Sequence, residues 1–298
     1  MRSLASIIYN PAARTASDKK IARAAEFLKQ KGFVVEVLRT DARGHARRLA
    51  VDSLRRSPGL IIAAGGDGTI NEVVNGIVWT DTPLAVLPMG TTNVLAKELG
   101  VPEDLYGAIK TAVTSLPRKV SLGVVETISA RGSESRFFCL MAGIGLDGKT
   151  VHDVSTNLKK VSGKAAYVLS GLRNIAGYSL ESLSLKIDGT EYSCFSAIIG
   201  KASRYGGNYK VTPDASLFDS SLYVCLFKGR RRRDLLRYAA GVLRGKHLNY
   251  DDVLYLKAME VEVRGSAHIQ IDGDYLGYAP ARVSTAKDAL MLVCGDRR

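Results

Sequence analysis

Long apolar runs, paired cysteines and abundant aromatic residues are all missing from this sequence. No run approaches the roughly 20 apolar residues that span a bilayer, and Pro11 interrupts the N-terminal segment before a signal-peptide core can form. The four cysteines stand singly, without the close pairs that zinc sites use. Aromatic residues make up 7% of the chain and are not interleaved with a basic stripe, which argues against nucleic acid as a partner. We therefore expect a cytoplasmic protein with reduced thiols and no nucleic acid partner.

The chain does have an ordinary globular composition together with a large excess of positive charge. Of its 298 residues 46% are hydrophobic and 24% are charged, which predicts one large or two medium folded domains. The 42 Lys and Arg outnumber the 29 Asp and Glu, giving a formal net charge of +13. Such a charge favours an anionic partner without choosing between lipid, nucleic acid and an acidic small molecule. A basic, solvated surface is the alternative.

The order of the apolar segments changes near residue 120. Before it, short apolar runs alternate with helical patterns, as from SLASIIY to LIIAA, and this alternation predicts a parallel sheet covered by helices. After it, β-rich segments follow one another, and Asp188-Gly189 between two of them marks a hairpin. We predict an α/β plus β fold class: an N-terminal parallel-sheet α/β nucleotide-binding domain over residues 1–122 and a C-terminal antiparallel β-sandwich-like domain over residues 123–285.

A glycine-rich loop follows the buried run LIIAA. Gly65, Gly66 and Gly68 surround one acid, Asp67, where a strand leads into a helix, so phosphate oxygens can approach backbone N–H groups closely. A carboxylate beside phosphates is repulsive unless a divalent cation lies between them. The loop therefore predicts a nucleotide site with Asp67 facing Mg²⁺. The alternative is an aspartate that caps the helix beginning near Thr69.

A second strand-to-helix loop, MGTTN, follows about 20 residues later. Gly90, Thr91, Thr92 and Asn93 lie in it. Ligands of parallel sheets bind at the carboxyl ends of the strands, so the two loops together favour one nucleotide site. Threonines that merely cap the following helix are the alternative.

Six segments together carry a family resemblance. They are YNPAAR, GGDGTINEVVNG, LPMGTTNVLAKELG, MAGIGLDGKTV, YGGNYKVTPDASLFDSSLYV and IQIDGDYLG. In this combination the chain resembles the diacylglycerol kinase catalytic-domain family, especially the soluble bacterial lipid kinases related to sphingosine and ceramide kinases. GGDG alone is also shared with NAD kinases and related phosphofructokinases. The resemblance implies that residues 123–285 carry part of the lipid site and that the strand over residues 286–298 returns to the ATP-binding domain.

The resemblance also implies a set of residues that bind ATP. They are Asn10, Pro11, Arg14, Thr40, Gly65, Gly66, Asp67, Gly68, Thr69, Asn71, Gly90, Thr91, Thr92 and Asn93. Family members often have glycine where this chain has Arg14. Asp67 is implied to hold the catalytic Mg²⁺ through water, with Asp147 extending that network. By chemistry alone, Asp147 is equally a turn residue before GKTV.

A second, structural Mg²⁺ is implied at the segment SLFDSS. Its ligands are the Asp219 carboxylate and the backbone carbonyls of Ser216 and Ser221, and oxygen-only ligation of this kind suits a hard cation. The family usually has Asp-Asp-Gly where this chain has Phe218-Asp219-Ser220.

The catalytic base is implied to be Asp272 or Asp274 in the loop IDGD. Phosphoryl transfer to a hydroxyl needs in-line positioning, neutralisation of charge by Mg²⁺ and a carboxylate that accepts the proton. The family loop is usually Asp-Gly-Glu, and Asp274 is one methylene shorter than that glutamate, which favours Asp272. A hairpin turn is the structural alternative, and both readings are compatible.

A basic amphipathic segment, KGRRRRDLLRYAAGVLRGKHLNY, lies in the second half of the chain. Its apolar residues repeat at helical spacing, and its basic residues are Arg230 to Arg233, Arg237, Arg244 and Lys246. Such a helix can lie on an anionic bilayer, where each basic residue contributes about 1 kcal/mol. Alternatively, its apolar face packs onto the second domain.

These observations predict a Mg²⁺-dependent, ATP-dependent lipid kinase that phosphorylates a hydroxyl of diacylglycerol or a related lipid. Its expected partners are the lipid substrate and an anionic membrane surface, so we expect a cytoplasmic protein that associates peripherally with the membrane. Two alternatives stay open. One is an NAD kinase-like phosphotransferase acting on a soluble acceptor, and the other is a non-catalytic lipid-binding homologue.

Overall fold

The computed structural model of the chain describes residues 3–129, 132–157 and 182–295. The chain divides into two compact units, one formed by Met1–Ser121 with Lys287–Arg298 and the other by Leu122–Ala286. Within the described residues, no helix has both the length and the apolar character that crossing a membrane requires.

The N-terminal unit contains a parallel sheet in the order β2-β1-β3-β4. Its strands are β1 (Leu4–Tyr9), β2 (Val34–Arg39), β3 (Leu60–Gly65) and β4 (Leu84–Pro88). Every residue of β3 and β4 is buried, as expected of central strands covered on both faces. The last strand of the chain, β18 (Ala281–Val293), adds to this sheet where Leu292 pairs in parallel with Leu84.

The described residues of the N-terminal unit form five helices. They are α1 (Asp18–Gln30), α2 (His45–Leu54), α3 (Asp67–Ile77), α4 (Val94–Glu98) and α5 (Leu105–Thr114). Helix α1 packs against α5, and α2 packs against α3. Local chemistry sets the helix ends: the Ser17 side chain accepts the Lys20 N–H at the start of α1, and Gly32 takes a φ of +90° just after its end.

The C-terminal unit is built on two antiparallel sheets. One sheet has six strands in the order β14-β13-β10-β7-β16-β17. They are β7 (Met141–Gly145), β10 (Ser196–Gly200), β13 (Leu222–Phe227), β14 (Val253–Ala258), β16 (His268–Ile271) and β17 (Asp274–Tyr278). In the other sheet the N-terminal part of β18 pairs with β15 (Glu260–Arg264), followed by β8 (Leu183–Ile187) and β9 (Thr190–Cys194). Apolar residues from both sheets form one buried cluster, which is the core of a sandwich.

The remaining elements complete the C-terminal unit. They are β5 (Pro117–Ser129), which begins in the N-terminal unit, β6 (Gly132–Phe138), the short pair β11 (Arg204–Tyr205) and β12 (Tyr209–Lys210), and the helices α6 (Leu146–Asn157) and α7 (Arg232–Leu243). Asp188 and Gly189 both take positive φ between β8 and β9, the geometry of a two-residue hairpin. The α/β plus β fold class predicted from the sequence is confirmed.

Candidate active site

Three loops of the N-terminal unit meet at the carboxyl ends of β1, β3 and β4. Gly66 and Gly90 touch backbone to backbone, since a Cβ on Gly90 would lie 2.6 Å from the Gly66 Cα. The Met89 N–H donates to the Gly65 carbonyl at 2.8 Å. The loop after β1 joins them because the Asn10 Nδ2 donates to the Thr69 Oγ1 at 2.9 Å. The sequence motifs GGDG, MGTTN and YNPAAR therefore share one edge of the sheet, which we name the loop cluster.

Asp67 connects two of these loops. It is the first residue of α3, yet its Oδ1 accepts the Leu95 N–H (3.1 Å) in the first turn of α4, and its Oδ2 accepts the Thr92 hydroxyl (3.3 Å). Asp67 thus holds the start of α4 and does not cap a helix beginning at Thr69. The side chain is partly exposed, and a carboxylate oxygen that accepts one hydrogen bond has a further lone pair for a hydrated cation.

The N-terminus of α3 suits an anion. Its N-cap residue is Gly66, which has no side chain to offer the N–H groups of the first turn. Helix N-termini of this kind bind phosphate through backbone N–H groups and the helix dipole. Asn93 shapes the neighbouring loop: it takes a φ of 48°, and its Oδ1 accepts the Gly90 N–H at 2.8 Å.

The other residues expected at the nucleotide occupy different settings. Thr40 is buried after β2, with its N–H donating to the Tyr9 carbonyl at 2.9 Å. Asn71 is buried inside α3, where its Oδ1 accepts from the Asn75 side chain. Arg14 and Thr91 are exposed. The structure thus places Asn71 in the packing of α3, whereas Arg14 and Thr91 are exposed residues of the loop cluster.

The IDGD loop of the C-terminal unit is a two-residue turn between β16 and β17. Asp272 and Gly273 have φ values of 50° and 89°, and Ile271 pairs with Asp274 across the turn. The Asp272 carboxylate accepts three backbone N–H groups, from Cys139 (2.8 Å), Leu140 (2.8 Å) and Met141 (3.0 Å). These bonds stabilise the ionised carboxylate and hold the break between β6 and β7 against the turn.

Asp147 supports the same turn from the first helical turn of α6. Its Oδ2 accepts the Gln270 Nε2 at 2.6 Å, its Oδ1 accepts the Tyr205 hydroxyl, and the Gln270 Oε1 accepts the Gly273 N–H at 2.8 Å. Gln270 is 1% exposed. Sequence reasoning missed Gln270 and Tyr205, although a glutamine between two isoleucines of a strand is a signal of a buried polar partner.

Asp274 is the first residue of β17, which is an edge strand of the six-stranded sheet. Its side chain is partly exposed. Strands β16 and β17 also carry an aromatic cluster: the His268 Nδ1 is 3.1 Å from the Tyr275 hydroxyl, and the His152 and His268 rings are 5.1 Å apart. Burial, followed by the positive charge of Lys149, holds the pKa of His268 below its ordinary value.

In the segment expected to hold a structural Mg²⁺, oxygens of Ser216 and Asp219 are bonded to other groups of the protein. The Lys201 Nζ donates to the carbonyls of Ser216 (2.7 Å) and Asp219 (2.5 Å). Burial lowers the pKa of Lys201 to about 8, an effect that Asp219 opposes, so the ammonium form predominates at neutral pH. The Asp219 carboxylate accepts the Ser221 N–H at 3.1 Å and lies 3.1 Å from the Lys257 Nζ. Across the described ranges, no group of three or more His, Cys, Asp or Glu could hold a metal ion.

Two family descriptions match this chain. The diacylglycerol kinase catalytic domain matches residues 5–125, and the YegS C-terminal NAD kinase beta sandwich-like domain matches residues 141–294. A diacylglycerol kinase of Bacillus subtilis (strain 168) is 34% identical over 284 residues, which cover 93% of this chain and 91% of the relative. One of Staphylococcus haemolyticus (strain JCSC1435) is 29% identical, with coverages of 96% and 87%.

Solved structures share the fold. A diacylglycerol kinase from Bacillus anthracis str. Sterne has a TM-score of 0.71 and 19% identity, covering 99% of this chain and 97% of that one. A yeast NADH kinase complexed with NADH has a TM-score of 0.54 and 11% identity, covering 99% and 84%. Identities this low show the fold alone, but the matched domains and the relatives confirm the resemblance found in the sequence. The chain therefore belongs to the diacylglycerol kinase family and is a lipid kinase.

Proposed function

We propose that this enzyme transfers the γ-phosphate of ATP to a hydroxyl of diacylglycerol or a closely related lipid. The observation that carries the proposal is the loop cluster, in which Gly66 and Gly90 touch and Asp67 connects the two loops. This arrangement presents glycine backbone and an uncapped helix N-terminus at one sheet edge, as phosphate binding requires.

The residues of the loop cluster fit Mg²⁺ brought by ATP. Mg²⁺ is usually bound by one or two carboxylates together with substrate phosphates and water, and Asp67 offers one partly exposed carboxylate. When bound, the ion would neutralise charge on the phosphates. The chain's own contribution is to fix that carboxylate, which the Leu95 N–H and the Thr92 hydroxyl do.

We assign the role of general base to Asp274. Asp272 has both oxygens engaged by backbone N–H groups, so protonating it would sacrifice charge-assisted hydrogen bonds. Asp274 lies directly after the same turn and is partly exposed. In this proposal Asp274 accepts the proton of the lipid hydroxyl, while Asp272 and Asp147 are positioning residues that fix the turn.

In this proposal α7 contacts the membrane surface. Leu235 and Tyr238 of this helix are buried, and the Tyr238 hydroxyl donates to Asp252 at 2.5 Å, which fixes one face to the unit. Leu236 and Leu243 are 49% and 59% exposed, and Ala239 between them is exposed too. These three residues, at i, i+3 and i+7, form an apolar stripe.

Basic side chains border this stripe. Arg232, Arg233, Arg244 and Lys246 are all exposed. Exposed leucines flanked by positive charge match an anionic bilayer, in which apolar groups enter the acyl boundary and the arginines meet headgroup phosphates. Both interpretations of this segment made from the sequence would then hold for different faces of one helix.

Transfer of labelled phosphate from Mg-ATP tests the proposal. Purified enzyme is offered mixed micelles of diacylglycerol and anionic phospholipid in one reaction and NAD in another. We expect label in phosphatidic acid. Label in NAD alone would favour a soluble acceptor, and label in neither would favour a non-catalytic lipid-binding homologue; either result contradicts the proposal.

A further inference from the structure

Lys201 is a fully buried lysine in the C-terminal unit. It follows β10, whose five residues are all buried, and its relative exposure is 0%. Its Nζ donates to the backbone carbonyls of Ser216 and Asp219, at 2.7 and 2.5 Å. Its own N–H donates to the Leu140 carbonyl at 2.8 Å. The side chain is thus extended from a rigid strand into the loop that precedes β13.

A buried ammonium needs compensation because its removal from water is costly. Here two carbonyl dipoles accept its hydrogen bonds, and the negative charge of the Asp219 carboxylate on the same loop favours the ammonium form. Carbonyl and carboxylate oxygens converging on one positive charge are the environment that proteins build for hard cations. The loop therefore has the ligands of a cation site, and the positive charge in it belongs to the protein.

A divalent cation does not fit beside this lysine. The Ser216 carbonyl, which the family resemblance assigns to Mg²⁺, is engaged by the Lys201 Nζ. The Asp219 carboxylate is engaged by the Ser221 N–H and by Lys257. An incoming Mg²⁺ would have to displace these bonds and would then lie beside an ammonium group, where charge repulsion opposes binding.

We propose that the Lys201 ammonium takes the place of a structural metal ion in the loop from Ser216 to Ser221, so that this loop is held without a divalent cation. The loop's order then depends on a covalently attached charge and is insensitive to the supply of Mg²⁺ or Ca²⁺. This inference concerns folding of the C-terminal unit and does not rest on the proposed lipid substrate.

Metal titration of the nucleotide-free enzyme tests whether the loop from Ser216 to Ser221 binds a divalent cation. Thermal unfolding of wild type and of Asp219→Asn is followed while Mg²⁺ or Ca²⁺ is raised into the millimolar range. We expect the two proteins to respond identically to each metal, because any binding takes place away from this loop. A saturable rise in melting temperature in wild type that Asp219→Asn lacks would overturn the proposal.

A pair of lysine variants tests whether the Lys201 ammonium holds this loop. Lys201→Met keeps an unbranched side chain, one atom shorter, and removes the charge, leaving the carbonyls of Ser216 and Asp219 without their buried donor. We expect its melting temperature to fall by about 5 °C or more. Lys257→Met is the matched control, since it removes an exposed lysine from the same aspartate, and should change the melting temperature by about 1 °C. Equal melting temperatures for the two variants would overturn the proposal. If Lys201→Met does not fold, the metal titration of wild type and Asp219→Asn tests the proposal by itself.

Discussion

Replacing Asp272 by asparagine separates the structural acid of the hairpin turn from the proposed base. The asparagine keeps one acceptor oxygen for the Leu140 and Met141 N–H groups, but its amide nitrogen faces the Cys139 N–H, which is buried. One buried donor then lacks an acceptor, at a cost of about 1–3 kcal/mol. Loss of the negative charge weakens the two bonds that persist.

We expect Asp272→Asn to lower the free energy of unfolding by about 3 kcal/mol in total. In a domain of this size, each kcal/mol corresponds to about 2–4 °C in melting temperature, so the melting temperature should fall by about 6–12 °C. Asp274→Asn, at the partly exposed start of β17, should melt within about 2 °C of wild type and lose at least about 100-fold in kcat, the contribution of a general base.

The assay pairs thermal unfolding with initial rates of labelled phosphate transfer to diacylglycerol in mixed micelles. Rates are measured below the melting temperature of the less stable variant, so that unfolding does not enter them. Asp272→Asn should then retain a larger share of activity than Asp274→Asn. If Asp274→Asn turns over normally while Asp272→Asn melts like wild type and is inactive, the assignment of the two acids is reversed.

Three further predictions follow from other parts of the chain. Gly90→Ala places a Cβ 2.6 Å from the Gly66 Cα, so it should force the two loops apart and raise the KM for ATP at least about tenfold; an unchanged KM would contradict the loop cluster as the nucleotide site. Leu236→Glu should weaken sedimentation with anionic vesicles, whereas Leu116→Glu, at a leucine 83% exposed in the N-terminal unit, should not; equal effects would remove α7 from the membrane surface. The pKa of His268 is lowered in the folded protein, so the stability that its neutral imidazole contributes is complete above about pH 6.5 and is lost as the pH falls through the folded-state pKa. Between about pH 7 and pH 5, the melting temperature of His268→Gln should therefore fall less than that of wild type.

The loop cluster could be predicted because its geometry is local. Adjacent parallel strands place their carboxyl ends at one sheet edge, so a glycine-rich loop after β3 and a polar loop after β4 had to be neighbours. What the pattern did not contain was the direction of the Asp67 side chain. Its carboxylate reaches the first turn of α4, a contact that depends on how closely Gly66 and Gly90 approach.

The acidic turn could be predicted as a hairpin but not in its chemistry. Asp272 binds N–H groups more than 130 positions earlier in the chain, and no local pattern reports a pairing of that span. The segment RFFCLMAG is broken after Phe138, where β6 ends, and β7 begins at Met141. Asp272 supplies the acceptors that the broken segment needs.

The basic helix and the buried lysine show a different limit. Helical spacing identified an apolar face on α7, but its leucines divide between burial and exposure according to tertiary partners such as Asp252. Lys201 follows a fully buried strand, where a charged residue signals a buried partner. That signal does not say which carbonyls accept its hydrogen bonds, because the acceptors come from a later loop.

The most direct test of the account is the initial rate at which wild type and Asp67→Asn transfer labelled phosphate from Mg-ATP to diacylglycerol in anionic mixed micelles. The variant keeps an acceptor for the Leu95 N–H and removes the charge proposed to face Mg²⁺. We predict phosphatidic acid formation by wild type and a rate at least about 100-fold lower for Asp67→Asn at an unchanged melting temperature. Equal rates for the two proteins, or no labelled lipid from wild type, would contradict it.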